Sequence, residues 1–309
     1  MVKPPKPDLP PRSLRSRRKS TTFSLAIVPP IGQFFQGQTW GDRLQGISLP
    51  WVVTLSYLVL FLALPIAAVM GHAFTLSPQE FWDIATAPVA LSAYTITFGI
   101  ALVAALINGV MGTLVAWVLV RYSFPGRKLV DAAIDLPFAL PTSVAGLVLA
   151  TLYSPKGWIG SLFAPLGIKI AFTRLGVAVA MVFISLPFVV RTLQPVLQEM
   201  ETEVEEAAWS LGASSWQTFR LVLFPPLLPA ILTGVALGFS RAVGEYGSVV
   251  IISSGIPFKD LIAPVLIFQQ LEQYDYQGAT VIGTVLLGVS LVLLLIINRL
   301  QLWGRRYEF

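Results

Sequence analysis

Three small groups of residues in this chain have types and spacings suited to polar chemistry in an apolar setting. Arg241 and Glu245 stand four apart within an otherwise apolar run. Each charge alone would be costly there, and a separation of one helical turn lets the two pair. Thr142 and Ser143 follow Pro137 and Pro141. Prolines at that spacing loosen a helical turn and free the N–H groups of Thr142, Ser143 and Val144, which with the two hydroxyls make a donor set suited to an anion. The alternative is a plain kink packed against a neighbouring helix. Glu206, Ala207, Ala208 and Gly212 lie in a polar segment that also holds Glu199, Glu201, Glu203 and Glu205. Small alanines permit close approach of another surface, glycine permits a turn, and Glu206 can meet a cation or cap a helix start.

The same inventory excludes much else. With no cysteine there is no disulfide, thiolate nucleophile, Cys-ligated zinc or iron–sulfur cluster, and His72 alone gives no basis for a His-built metal site. No Gly-Lys dipeptide occurs, hence no phosphate-binding P-loop, and any ATP hydrolysis belongs to another chain. The expectation is a chain with no catalytic residue, no metal and no cofactor of its own.

The elements that must position these groups are membrane helices. Of 309 residues, 55% are hydrophobic and 12% charged, against roughly a quarter charged in a soluble domain. Apolar runs fall near 50–71, 91–120, 132–153, 172–194, 226–254 and 279–300. About 20 residues of helix cross a hydrocarbon core of roughly 30 Å. The runs lack the alternation of barrel strands, so the class is all-α, an integral membrane protein with six transmembrane helices. Prolines 137, 141 and 187 interrupt the third and fourth runs. Residues 1–49 form a basic tail, 50–90 the first span with an outer loop, and 91–302 the remaining core, with the polar segment at about 195–225.

Direction follows from the basic residues. Sixteen of the 21 Lys and Arg lie before the first span, after the second and fourth, or at the end. The opposite loops hold Lys156, Lys169, Arg174 and Lys259, and Arg241 lies within the fifth run. The positive-inside rule places both termini in the cytoplasm, so the net charge of +5 is a topology signal and not a nucleic-acid footprint. Pro29-Pro30 cuts short the apolar part of the tail, which reads as retained and not as a cleaved signal; its basic cluster either lies against anionic lipid headgroups or serves topology alone.

The polar segment 194–224 then becomes specific. As helix it would place Ala208, Leu211, Trp216 and Phe219 on one apolar face, broken at Gly212. Glu206-Ala207-Ala208, three residues, Gly212, nine residues, then Val222-Leu223-Phe224-Pro225 resembles the EAA loop of ABC-importer permeases, with Val222 and Phe224 as apolar departures from its Ile and Leu. The stretches 136–146 and 240–248 resemble sulfate and molybdate permeases, and the run from Ala263-Pro264 to Thr280 is most similar to the T-type subunit of sulfate/thiosulfate permeases. The likeness covers roughly 50–305.

That resemblance implies an ABC importer type I (MetI-like) permease fold in the plasma (bacterial inner) membrane. It implies a coupling helix at Glu206, Ala207, Ala208 and Gly212 that docks on a cytoplasmic ABC ATPase dimer, where ATP and Mg are handled. It implies a second homologous permease (W-type) and an external sulfate-binding protein as further partners. The substrate would be sulfate or thiosulfate. By the chemistry of the residues themselves, Thr142, Ser143, Arg241 and Glu245 would lie on its pathway. A molybdate or tungstate permease, or an ion-coupled carrier, are the alternatives. For Arg241 and Glu245 a purely structural pair facing another subunit also stays open. The glycines at 234, 238, 244 and 247 suggest a thin helix face for the dimer interface.

Overall fold

The computed structural model describes residues 49–73 and 75–304. The basic tail, save Leu49, and the terminal Arg305 and Arg306 lie outside the described residues. The chain divides into two units, residues 1–60 and 61–309. Of the first, the described part is α1 (Leu49–Leu58) and the start of a π-helical stretch, Val59–Ala63, exposed along every face.

The second unit consists of helices joined by turns and loops. Among the described residues no strand occurs. Helix α2 (Leu64–Ala73) and the short α3 (Pro78–Ala85) precede the long α4 (Pro88–Arg121). Ser77 starts α3 with a capping box: its hydroxyl accepts from Glu80 N–H and the Glu80 carboxylate accepts from Ser77 N–H. There follow α5 (Arg127–Ile134), α6 (Leu136–Ala139), α7 (Thr142–Tyr153) and α8 (Gly160–Phe163). Then come α9 (Arg174–Glu199), α10 (Thr202–Ser210), α11 (Ser215–Thr218) and α12 (Phe224–Val243). The chain closes with α13 (Val249–Ile252), α14 (Ala263–Glu272) and α15 (Tyr276–Gly304).

Helices α4, α9 and α12 pack on one another and form the centre. In lipid, helices gain little from burying apolar surface, so close van der Waals approach through small residues takes over. The buried residues of α4 accordingly include a run of small ones, Ala101, Ala104, Ala105, Gly109, Gly112 and Ala116. A Cβ on Gly112 would lie 2.9 Å from the Cβ of Val189, and one on Gly234 would lie 2.8 Å from its Cα. Val189 of α9 is thus clasped between α4 and α12. A polar cross-link reinforces the same joint: buried Asn108 of α4 donates through Nδ2 to Ser185 Oγ (2.8 Å) and to the Val182 carbonyl (2.9 Å) of α9. Thr97 Oγ1 accepts from Ala263 N–H (2.8 Å), which ties the start of α14 to α4.

Five helical segments among the described residues are long and apolar enough to span: Leu49–Ala73, Pro88–Arg121, Arg174–Glu199, Ser215–Val243 and Tyr276–Ile297. Pro187, expected to interrupt the fourth run, lies inside the unbroken α9. Two other expected runs differ in form. The run 132–153 is not one helix. It breaks where Leu140 and Pro141 turn extended, and α7 beyond the break has 12 residues, only ~18 Å of rise, too short to cross alone. The run 226–254 ends as helix at Val243, because Gly244 closes it and the backbone turns before α13. At its other end it begins earlier than hydropathy suggests. A π-helical turn, Phe219–Leu223, joins α11 to α12 without interruption. Pro225 and Pro226 cannot donate to the preceding turn, and the Phe224 amide bonds five residues back to Phe219.

The glycines at 234, 238, 244 and 247 correct a further expectation. Gly234 and Gly238 meet α9 at Val189 and Ser185, and Gly247 meets Thr142 of α7. Three of the four glycines therefore serve packing inside this chain and not a face for a second subunit. Gly244 alone has open space beside it.

Candidate functional site

The segment between α9 and α12 is built as two short helices set by one glycine. Helix α10 ends in a paired closure: Gly212 N–H donates to the Trp209 carbonyl (2.9 Å) and Ala213 N–H to the Ala208 carbonyl (3.0 Å). This closure needs a left-handed residue after the cap, and Gly212 sits at φ +87°. Ser214 then starts α11 with a second capping box, accepting from Gln217 N–H while its own N–H donates to Gln217 Oε1. The Gly placed four residues after Ala208 is therefore a requirement of the closure geometry.

What this segment offers outward differs from the single apolar face expected of it. Ala208 packs inward and Thr218 is buried, whereas Leu211 is 89% exposed, Trp216 67% and Trp209 51%. Glu206 and Ala207 are exposed as well. These large apolar side chains stand exposed on an otherwise polar segment. Of the adjacent glutamates, Glu205 meets a cation and not Glu206. Glu205 pairs with Arg121 at the end of α4 (2.8 Å), and both side chains are 15% exposed.

The other candidate residues come from segments far apart in sequence, and the structure brings those segments together. Helix α7 starts at the Pro141 break with no side-chain cap. It packs on the loop after α12: a Cβ on Gly247 would lie 2.1 Å from Thr142 Oγ1, and one on Gly146 would lie 2.6 Å from the Ser248 carbonyl oxygen. At Gly146 two backbones touch, and at Gly247 the backbone meets the Thr142 side chain. Thr142 is half-buried and Ser143 exposed.

Arg241 Nη1 lies 2.6 Å from Glu245 Oε2, so the pair forms. It is not intrahelical, because Glu245 stands one residue past the Gly244 cap. The Glu245 side chain is 2% exposed and that of Arg241 31%. The other carboxylate oxygen, Oε1, accepts from both Ser248 N–H and Ser248 Oγ at 2.8 Å. A buried carboxylate with three donors is satisfied. The guanidinium keeps an open side.

Two further clusters carried no marked signal in the sequence. Arg191, read there as a topology charge, is a hub: it donates to Asp135 Oδ1 (2.8 Å) and Oδ2 (2.6 Å), to Asp131 Oδ1 (2.6 Å) and to the Asp131 carbonyl (2.8 Å). Gln194 Nε2 also donates to Asp131 Oδ1 (2.9 Å). Hydrogen bonds from Gln194 and then Arg191 hold the Asp131 carboxyl below its ordinary value. The cluster pins the start of the broken third segment to α9. On the side opposite the 202–218 segment by the charge reading, Lys169, Arg174 and Lys259 line one cleft of about 550 Å³. Arg174 donates through Nη2 to the Phe258 carbonyl (2.7 Å) and through Nε to that of Lys259. Among the described residues no group of His, Asp and Glu is placed to hold a metal.

Comparison with known proteins fits this architecture. The family model described as binding-protein-dependent transport system inner membrane component matches residues 108–303. The sulfate transport system permease protein CysT of Synechocystis sp. is 69% identical over 93% of this chain and 99% of that protein. That of Synechococcus elongatus is 62% identical over 87% and 96%, and a probable sulfate transport system permease protein of Marchantia polymorpha 52% over 92% and 99%. Among solved structures, a bacterial ABC transporter that imports alginate shares the fold at TM-score 0.70 and 17% identity, covering 87% of this chain and all of that one. This chain, a multi-pass membrane permease, belongs to the binding-protein-dependent transport system inner membrane component family.

Proposed function

We propose that this chain is one permease subunit of an ATP-driven importer for sulfate or thiosulfate, with both termini in the cytoplasm. The observation that carries the substrate is the 69% identity to a named sulfate permease along 99% of that protein's length. A homologous W-type permease would complete the translocation path, and an ABC ATPase dimer would grip the 202–218 segment. ATP and Mg belong to that partner. A sulfate-binding protein would deliver substrate from the other side; the related alginate importer has been seen with its periplasmic protein bound.

The geometry suits weak, graded handling of a dianion. Ser143, the uncapped start of α7 and the open side of Arg241 supply donors without a full positive charge, since Glu245 neutralises much of Arg241. Glu245 retains two donors from Ser248, so Arg241 can turn toward a passing anion without leaving a bare carboxylate. A conducting path has to bind firmly enough to strip water and loosely enough to release. The cluster of Lys169, Arg174 and Lys259 would raise the local anion concentration at the entrance.

The test is uptake of radiolabelled sulfate by the four-component assembly in liposomes. Uptake should require ATP and be competed by thiosulfate. A stable Thr142→Val, Ser143→Ala double variant with wild-type uptake would sink the anion-path reading. Uptake by this chain alone without ATP would sink the importer reading.

A further inference from the structure

The 202–218 segment is attached to the membrane helices in two different ways. Its second half, α11, continues through the π turn into α12, so a displacement of α11 is carried into that helix by backbone. Its first half, α10, has no backbone continuity with α4 and reaches it through side chains. Arg121, the last residue of α4, meets Glu205 at 2.8 Å. The same guanidinium lies 5.5 Å from the centre of the Trp117 ring, within cation–π range. Trp117 in turn meets Phe219, the first residue of the π turn, edge-on at 6.0 Å. Trp117, Arg121, Glu205 and Phe219 thus form one strut linking α4 to both halves of the segment.

The strut has a mechanical consequence. Helices α4 and α12 clasp Val189 from two sides with no space for a Cβ on Gly112 or Gly234. If α12 were displaced alone, that clasp would have to open. Moving α4 and α9 together with α12 keeps it closed, since Val189 belongs to α9. The ion pair is not needed to hold α10 helical, because α10 is closed by its own Gly212 turn.

We infer that Arg121, Glu205 and Trp117 are positioning residues that make α4 follow the docking segment, so that ATP-driven motion of the partner reaches α4 as well as α12. The inference rests on the importer reading above. Glu206 and Leu211 meet the ATPase from outside, and Glu205 passes the motion inward. Losing the strut uncouples the cycle and leaves docking intact.

The experiment uses the full assembly in liposomes, with sulfate uptake and ATP hydrolysis measured together. In Arg121→Gln and Glu205→Gln the ATPase should still co-purify and hydrolyse ATP, while sulfate moved per ATP falls about tenfold, a typical coupling energy. The reversed pair, Arg121→Glu with Glu205→Arg, should recover most of the loss. Wild-type uptake per ATP in both single variants overturns the inference, as does a reversed pair that assembles and hydrolyses ATP yet transports no better than the singles. Should a glutamine variant fail to assemble, Arg121→Lys is read the same way: an unchanged ratio overturns the inference and a partial loss supports it. A wild-type assembly that moves no sulfate refutes the importer reading itself. Normal wild-type transport with unaltered variants refutes only the strut.

Discussion

Glu245 is buried with three donors, and its partner Arg241 is open on one side, an asymmetry that makes their roles separable. Arg241→Gln leaves a buried carboxylate short of its cation. Removing one partner of a fully buried pair costs about 3–5 kcal/mol, and the partial exposure of Arg241 places the expected loss below that range. The Arg241→Gln, Glu245→Gln double variant should regain thermal stability in detergent but not sulfate uptake. Full uptake in it would assign the pair to structure alone. Asp131 gives a pH signature. Its folded carboxyl titrates below its ordinary value near 4, so its contribution is complete above that value and is lost as pH falls through the lower folded one. Thermal midpoints from about pH 5 downward should fall more steeply in the wild type than in Asp131→Asn. The pairing of Arg241 with Glu245 was legible from their spacing. The Arg191 hub was not, because Asp131 and Asp135 reach it only after the third segment folds back on α9.

Elements in this protein are joined by glycine contacts, and each contact can be tested by adding one methyl group. Gly234→Ala drives a Cβ to 2.8 Å from the backbone of α9, which cannot yield as a side chain would. A loss of about 1–3 kcal/mol is expected, typical of overpacking. Gly99→Ala, with nothing within 4 Å, should be neutral or slightly stabilising. Equal effects of the two on the thermal midpoint would refute the clasp. Breaks in the elements were partly legible. Pro137 and Pro141 announced the interruption before α7, and Gly212 announced the turn between α10 and α11. The continuous passage from α11 to α12 was not, since Pro225-Pro226 read locally as a boundary. A π turn that spares their missing amides leaves no mark in hydropathy.

At the scale of the whole molecule, Leu211, Trp209 and Trp216 stand exposed on the polar segment between α9 and α12. Leu211→Asp should abolish co-purification of the ATPase while leaving the chain's own thermal midpoint unchanged, because that side chain is 89% exposed. An unchanged ATPase yield would remove the segment as the docking site. By itself the sequence determined that the chain is helical and membrane-embedded, and that the polar segment at about 195–225 breaks at Gly212. Those properties follow from hydropathy, from charge placement and from glycine and proline, all of which act over a few residues. Only the tertiary structure decided which of two adjacent glutamates turns inward to Arg121, which way the glycines of α12 face, and that Thr142 meets Gly247. These depend on how closely distant backbones can approach, and the small residues that permit the approach do not specify their partner by any local period.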